Sequence, residues 1–137
     1  MAEKLKILIL DDEVIVGKRL APTLQKHGCD VEVFSNPVDV IKRVNEKDFD
    51  IVVTDLRMKE MDGLEVLRQV KAKNERTKII IITGYAMMEI ARKAMDLGAF
   101  DFIAKPFKPN DLKLILNKAA AALGIDIDLT SAVSPEE

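Results

Sequence analysis

Five polar residues follow short apolar runs in this chain, and their side chains could together perform phosphoryl chemistry. The acidic pair Asp11 and Asp12 follows the first run, and Asp55, Thr83 and Lys105 follow three later ones. In an open parallel α/β sheet, ligands bind at the carboxyl ends of the strands, near the point where strand order reverses. Carboxylates, a hydroxyl and an ammonium on one rim could bind a divalent cation, present a carboxylate nucleophile and balance an incoming phosphoryl group.

The elements that would hold these side chains are predicted by apolar spacing, because strand and helix patterns alternate along the chain. Predicted strands cover residues 7–10, 31–34, 51–53, 79–82 and 100–104, and predicted helices cover residues 13–28, 37–47, 63–73, 86–97 and 109–123. This alternation predicts an α/β, flavodoxin-like (βα)5 three-layer sandwich with a parallel five-stranded sheet in the order 2-1-3-4-5. The alternating second strand is expected at an edge, and the wholly apolar fourth strand at the sheet centre.

Composition indicates one soluble domain. The chain has 137 residues, of which 48% are hydrophobic and 32% charged, and its formal net charge is −2. Nothing in this balance indicates a nucleic-acid or membrane partner, and no apolar stretch reaches the length of a signal peptide or a membrane span. The single cysteine, Cys29, cannot form an internal disulfide, which permits a reduced setting. With no signal or membrane segment in the sequence, we expect a cytoplasmic protein. We expect the domain over residues 4–124 and a mobile C-terminal tail or linker stub over residues 125–137.

Each polar residue at the rim also has an ordinary structural interpretation. Adjacent acids repel unless a cation or proton relieves them, so Asp11 and Asp12 indicate either a Mg²⁺ site or a helix cap. Asp55 fits a surface acid at a strand end or a phosphoryl acceptor that needs a metal. Thr83 fits β-propensity or a hydrogen bond to a phosphoryl oxygen, and Lys105 fits a solvated cation or a partner of Asp55. Their joint placement at strand ends favours a common site.

The segments around these residues resemble the receiver domain of two-component response regulators, the CheY-like family. The matching segments are residues 7–13, 52–58, 61–63, 81–86 and 104–107, and the resemblance covers residues 4–124. It implies that Asp55 accepts a phosphoryl group from a histidine kinase or a histidine phosphotransfer protein. It also implies that Thr83 and Lys105 contact that phosphoryl group, in a domain that catalyses only its own phosphorylation and dephosphorylation.

The same resemblance implies a metal site and a switch. Mg²⁺ would be held by Asp11 or Asp12, by Asp55 and by the backbone carbonyl of Arg57. Phosphorylation adds charge and strong acceptors at Asp55, so Thr83 would be drawn in and Phe102 would fill the space behind it. Two further positions, Arg57 and Tyr85, lie where family members tune the lifetime of the phosphoryl group. One departure from the family pattern is Lys59, which stands where most members have proline.

Apolar residues outside the rim predict partner surfaces. Ile15, Val16 and Phe107 could form a landing patch for the phosphodonor. Met87 and Met88 on the fourth helix and Leu114 on the fifth helix indicate an output or dimer surface, formed by helix 4, strand 5 and helix 5. We therefore expect a downstream effector protein or a homodimer, without direct nucleic-acid or membrane contact by this chain.

One alternative function from another class shares this chemistry. A Mg²⁺-dependent phosphatase of the haloacid dehalogenase type also uses acids, threonine and lysine on an α/β sheet. In that family, however, the nucleophile ends the first strand in an Asp-x-Asp pattern, whereas this chain has Asp11-Asp12-Glu13. Continuous turnover of a phosphate ester would favour the phosphatase, and a stable adduct on Asp55 would favour the receiver domain.

Overall fold

The computed structural model describes residues 4–11, 15–56, 63–84 and 88–131, with only the backbone of Ile15 and Val16. Its strands are β1 (Lys6–Leu10), β2 (Asp30–Phe34), β3 (Ile51–Asp55), β4 (Lys78–Thr83) and β5 (Asp101–Ala104). Its helices are α1 (Ile15–Lys26), α2 (Pro37–Glu46), α3 (Gly63–Lys73), α4 (Met88–Asp96) and α5 (Pro109–Ala122). None of the helices in these ranges has the length and apolar character that a membrane crossing requires.

The strands form one parallel sheet in the order β2-β1-β3-β4-β5, so the predicted flavodoxin-like fold is confirmed. β2 lies at an edge, as expected. β3 occupies the centre, which corrects the expectation that β4 would; β4 is the next interior strand and is equally apolar because it too is paired on both sides. Strand order reverses between β1 and β3, and ligands bind at such a point.

Two apolar layers, one on each face of the sheet, hold the strands in place. Side chains alternate along β1, so Ile7 and Ile9 pack with α1 and α5, while Leu8 and Leu10 pack with α2, α3 and α4. All of these β1 side chains are fully buried. The apolar middles of β1 and β4 therefore leave polar side chains at the strand ends.

Local sequence signals set the helix boundaries. The Asn36 side chain accepts a hydrogen bond from the Val38 amide at 2.8 Å, and Pro37 opens α2 with its ring-fixed φ. After α1, Gly28 adopts a φ of +87°, which only glycine takes readily. The turn at Gly28 returns the chain to the amino end of the sheet, where β2 begins.

An ion-pair network joins edge strand β2 to α2. Glu32 accepts hydrogen bonds from Arg43 Nε at 2.7 Å and from Lys47 Nζ at 2.9 Å. Lys47 Nζ also donates to Asp30 at 2.7 Å. The hydrogen bond from Arg43 is the main cause that lowers the pKa of Glu32 below its ordinary value of 4.5. The bonds to Glu32 therefore stabilise the edge only while its carboxylate is ionised.

Replacing Glu32 with glutamine is expected to lower the free energy of unfolding by about 1 kcal/mol at neutral pH. Because the pKa of Glu32 is lower in the folded state, its contribution is present above about pH 4.5 and is lost as the pH falls through the lowered value. Denaturant unfolding of both proteins from pH 7 to pH 3 should show their stabilities converging in acid. Glu89→Gln, at an exposed site on α4, is the control; a Glu32→Gln deficit that does not change with pH would contradict the account.

Residues 125–131 pack on the domain, so the expectation of a mobile tail is wrong for this part. Leu129 is fully buried in the layer that contains α1 and α5. The Asn117 side chain accepts a hydrogen bond from the Leu129 amide at 2.8 Å, and His27 Nε2 lies 2.9 Å from the Ser131 carbonyl oxygen. Sequence pattern missed this packing because an irregular segment carries no helix or strand period.

Deleting residues 125–137 is expected to lower the free energy of unfolding by about 2–3 kcal/mol, since the burial of Leu129 is lost. The matched control ends the chain at Ser131, which keeps every contact described above. Thermal and denaturant unfolding of both truncated proteins measures the difference. Equal stability of the two proteins would contradict the assignment of residues 125–131 to the packed domain.

Candidate functional site

The ends of four strands bring the candidate residues to one rim. Leu10 pairs with Thr54 and Asp55 with Ile82, so Asp11 lies beside the end of β3. Thr83 pairs with Ala104, which places Lys105 one residue beyond that register. The predicted side chains Asp11, Asp55, Thr83 and Lys105 therefore share one edge of the sheet.

The Lys105 ammonium lies between two carboxylates at the centre of this rim. Its Nζ is 2.7 Å from Asp55 Oδ2 and 3.9 Å from Asp11 Oδ1. Asp11 is fully buried and Asp55 is 6% exposed, whereas the Lys105 side chain is 28% exposed. The Lys105 amide donates to the Thr83 carbonyl at 2.7 Å, and the Lys105–Pro106 peptide bond is cis. Two carboxylates and one ammonium group thus meet in a largely desolvated site, and solvent reaches this site at Lys105.

The hydroxyl group at the end of β4 is bonded locally in this structure. Thr83 is buried, and its Oγ1 donates a hydrogen bond to the Gly84 carbonyl at 3.1 Å. On the neighbouring strand, Phe102 is partly buried and packs against the layer formed with α2, α3 and α4. Thr83 and Phe102 therefore lie on neighbouring strands, and their role in a switch stays a prediction.

The donor set fits Mg²⁺ in its chemistry. Asp11 and Asp55 supply carboxylate oxygens, the hard ligands that Mg²⁺ prefers, and the Lys105 ammonium already lies at both acids. Within the ranges that the structure describes, no group of three or more histidine, cysteine or acidic side chains could hold a metal. The other predicted ligands, Asp12 and Arg57, lie outside the described residues.

The remaining predicted positions divide between described and undescribed parts of the chain. Tyr85, Met87 and Lys59 lie outside the described residues, as do the side chains of Ile15 and Val16. The structure describes the side chains of three others, Phe107, Met88 and Leu114. Phe107 is partly buried against the α1 and α5 layer, Met88 is half-buried, and Leu114 is 51% exposed. Two further large apolar side chains are exposed: Ile90 on α4 and Leu97, one residue past the end of that helix.

Comparison with known proteins decides the family. The family model for the response regulator receiver domain matches residues 7–117. The chain belongs to the response regulator receiver domain family. It is therefore a phosphorylation-activated switch of two-component systems, and the haloacid dehalogenase alternative gains no support from these matches.

Curated relatives of this receiver domain are considerably longer proteins. The transcriptional regulatory protein ZraR of Klebsiella oxytoca is 35% identical over 119 residues, which cover 87% of this chain and 27% of that protein. A putative NtrX-like response regulator of Rickettsia typhi is 34% identical over 135 residues, which cover 95% of this chain and 28% of that protein. The receiver domain thus spans less than a third of the length of these relatives.

Solved receiver domains share the architecture. A response regulator receiver domain protein from Clostridium thermocellum has a TM-score of 0.80 and 30% identity, covering 87% of this chain and 96% of that one. The BeF3-activated DrrB receiver domain has a TM-score of 0.78 and 27% identity, covering 87% of this chain and 99% of that one. The predicted receiver fold is confirmed over most of the chain.

Proposed function

We propose that Asp55 is the phosphoacceptor of this receiver domain and that Lys105 and Thr83 act on the phosphoryl group. The observation that carries the proposal is the 2.7 Å contact between Lys105 Nζ and Asp55 Oδ2, with Asp11 beside both. An Asp55 oxygen attacks phosphorus, the bond from phosphorus to the donor nitrogen or oxygen breaks, and an acyl phosphate forms. Lys105 balances the negative charge that arrives with the phosphoryl oxygens.

Mg²⁺ is proposed as the cofactor, held by Asp11 or Asp12, by Asp55 and by the backbone carbonyl of Arg57. When bound, it would reduce the repulsion between the anionic nucleophile and the anionic donor. The chain's own contribution is to desolvate Asp11 and Asp55 and to keep a cation at the rim. Arg57 and Tyr85 are proposed to tune the lifetime of the acyl phosphate.

The switch that we propose uses Thr83 and Phe102. The Thr83 hydroxyl donates to the Gly84 carbonyl in this structure, and on phosphorylation it would donate to a phosphoryl oxygen instead. Phe102 would then fill the space that Thr83 leaves. The two arrangements of Thr83 and Phe102 would be in equilibrium, and the phosphoryl group would favour the second. The output surface of α4, β5 and α5 would change with this equilibrium.

The proposed partners follow from these surfaces. A histidine kinase or histidine phosphotransfer protein would dock beside the rim, where Ile15, Val16 and Phe107 form the expected landing patch. A downstream effector protein or a second copy would read the face that carries Met87, Met88 and Leu114. Leu114 supports this assignment because it is 51% exposed on α5. The proposed setting is the cytoplasm, and the proposed chemistry is limited to the domain's own phosphorylation and dephosphorylation.

Phosphoryl uptake from a small donor tests the proposed function. The purified chain is mixed with acetyl phosphate and Mg²⁺, and its intact mass is followed with time. We expect a mass increase of one phosphoryl group that depends on Mg²⁺ and decays without added enzyme. No adduct, together with no spectral shift on adding beryllofluoride, would refute the proposal; continuous hydrolysis of a phosphate ester would indicate a phosphatase.

A further inference from the structure

Two buried residues outside the rim hold the backbone carbonyl of Asp55. Thr54 Oγ1 donates a hydrogen bond to the Asp55 carbonyl oxygen at 3.0 Å. Gly63, the first residue of α3, lies against the same atom: a Cβ added to it would be 2.8 Å from the Asp55 carbonyl oxygen and 2.8 Å from Leu56 Cα. Both distances are too short for a real Cβ, so only glycine fits at this position.

The next residue along the chain is held on both sides. The Leu56 amide donates to the Ile82 carbonyl at 2.9 Å, and the Leu56 carbonyl accepts from the Gly63 amide at 3.0 Å. Leu56 itself is buried, with 1% of its surface exposed. The peptide unit that follows Asp55 is therefore fixed by β4, by the start of α3 and by the Thr54 hydroxyl.

We infer that Thr54 and Gly63 are positioning residues for the phosphoacceptor. The inference rests on the proposed function of Asp55. By clamping the Asp55 carbonyl, they orient its Cα–Cβ bond so that the carboxylate reaches Lys105 at 2.7 Å. A nucleophile held in its attack geometry reacts faster than one that samples several, and small displacements are costly in rate. Neither residue needs to touch the phosphoryl group.

Gly63 differs from the other glycines of the chain because a Cβ added to it would meet backbone atoms. At Gly63 the obstructing atoms are backbone atoms of Asp55 and Leu56, so any displacement is passed to the phosphoacceptor itself. At Gly17, on α1, an added Cβ would meet Val33 Cγ1 at 2.5 Å, which is a side-chain atom of edge strand β2. The strain from Gly17→Ala therefore falls on the Val33 side chain and not directly on the Asp55 backbone, which makes this variant a control for general instability.

The rate of phosphoryl uptake tests the inference. Uptake from acetyl phosphate with saturating Mg²⁺ is measured for the natural chain and for Gly63→Ala, Thr54→Val, Thr54→Ser and Gly17→Ala. We expect the maximal rate to fall about tenfold or more in Gly63→Ala, since misplacement of a reacting group can cost about 10²-fold. The maximal rate should fall several-fold in Thr54→Val, because valine lacks the hydroxyl group. Thr54→Ser keeps a hydroxyl and should retain the natural rate. The half-saturating donor concentration should stay unchanged throughout.

Each outcome decides the inference. Natural uptake rates in both Gly63→Ala and Thr54→Val would overturn it, and so would an equal fall in Gly17→Ala, which would trace the effect to general instability. If Gly63→Ala does not fold, the comparison of Thr54→Val with Thr54→Ser decides alone, and equal rates in that pair overturn the clamp. Absence of an adduct in the natural chain is a different failure, because it refutes the proposed function itself.

Discussion

Replacing Asp55 with asparagine is expected to abolish phosphoryl uptake completely. Asparagine has nearly the same shape but is neutral, so it offers no anionic oxygen to attack phosphorus. The substitution also removes the charge that meets Lys105 Nζ at 2.7 Å. Intact-mass spectrometry after incubation with acetyl phosphate and Mg²⁺ should show the adduct in the natural chain and none in Asp55→Asn.

A matched substitution separates the loss of the nucleophile from the loss of a charge. Asp48 is an exposed acid between α2 and β3, at the opposite edge of the sheet from the rim. Asp48→Asn makes the same change in charge and should keep the natural rate and extent of uptake. An adduct of natural stoichiometry in Asp55→Asn would place the phosphoacceptor on another residue.

Replacing Lys105 with methionine is expected to destabilise the metal-free domain by about 2–3 kcal/mol, because it removes the cation beside buried Asp11 and Asp55. Methionine keeps a similar unbranched stem, so the change is mainly one of charge. Mg²⁺ should recover much of the lost stability, since the proposed Mg²⁺ site lies among the same acids. The measurement is denaturant unfolding with EDTA and with Mg²⁺.

The same variant should bind Mg²⁺ more tightly, since no ammonium competes for the carboxylates. Lys118→Met, at an exposed position on α5, serves as the control and should change neither property. Unchanged stability in EDTA together with unchanged Mg²⁺ affinity would mean that Lys105 does not balance the acids of the rim. Loss of switching despite phosphorylation would instead fit the proposed role of Lys105 on the phosphoryl group.

Much of the fold and the outline of the site could be predicted from sequence because both depend on local patterns. Apolar runs such as residues 79–82 give strand positions, and Asn36-Pro37 gives a helix start that the structure reproduces. In a parallel sheet, strand ends share one edge, so the meeting of Asp11, Asp55 and Lys105 follows from topology. The positions of these residues after the predicted strands were therefore enough to predict that they meet in the folded domain, although they are far apart along the chain.

Other features depend on three-dimensional packing that no local pattern encodes. Leu129 is buried although its segment has no helix or strand, because its partners come from α1 and α5. The Thr54 hydroxyl reads as an ordinary β-strand threonine until its bond to the Asp55 carbonyl is seen. Gly63 could have been noticed as a glycine at a helix start, but the close approach of backbone is visible only in the structure. The exposure of Ile90 likewise depends on how α4 packs against the sheet.

Locating the phosphoryl group within the phosphorylated chain tests the central claim most directly. The chain is phosphorylated with acetyl phosphate and Mg²⁺, trapped by reduction of the acyl phosphate with borohydride, digested and mapped by mass spectrometry. The account predicts one modified residue, Asp55, at the end of β3. Modification at Asp11 or Asp12 with Asp55 intact would contradict it, because the metal end of the rim would then be the nucleophile.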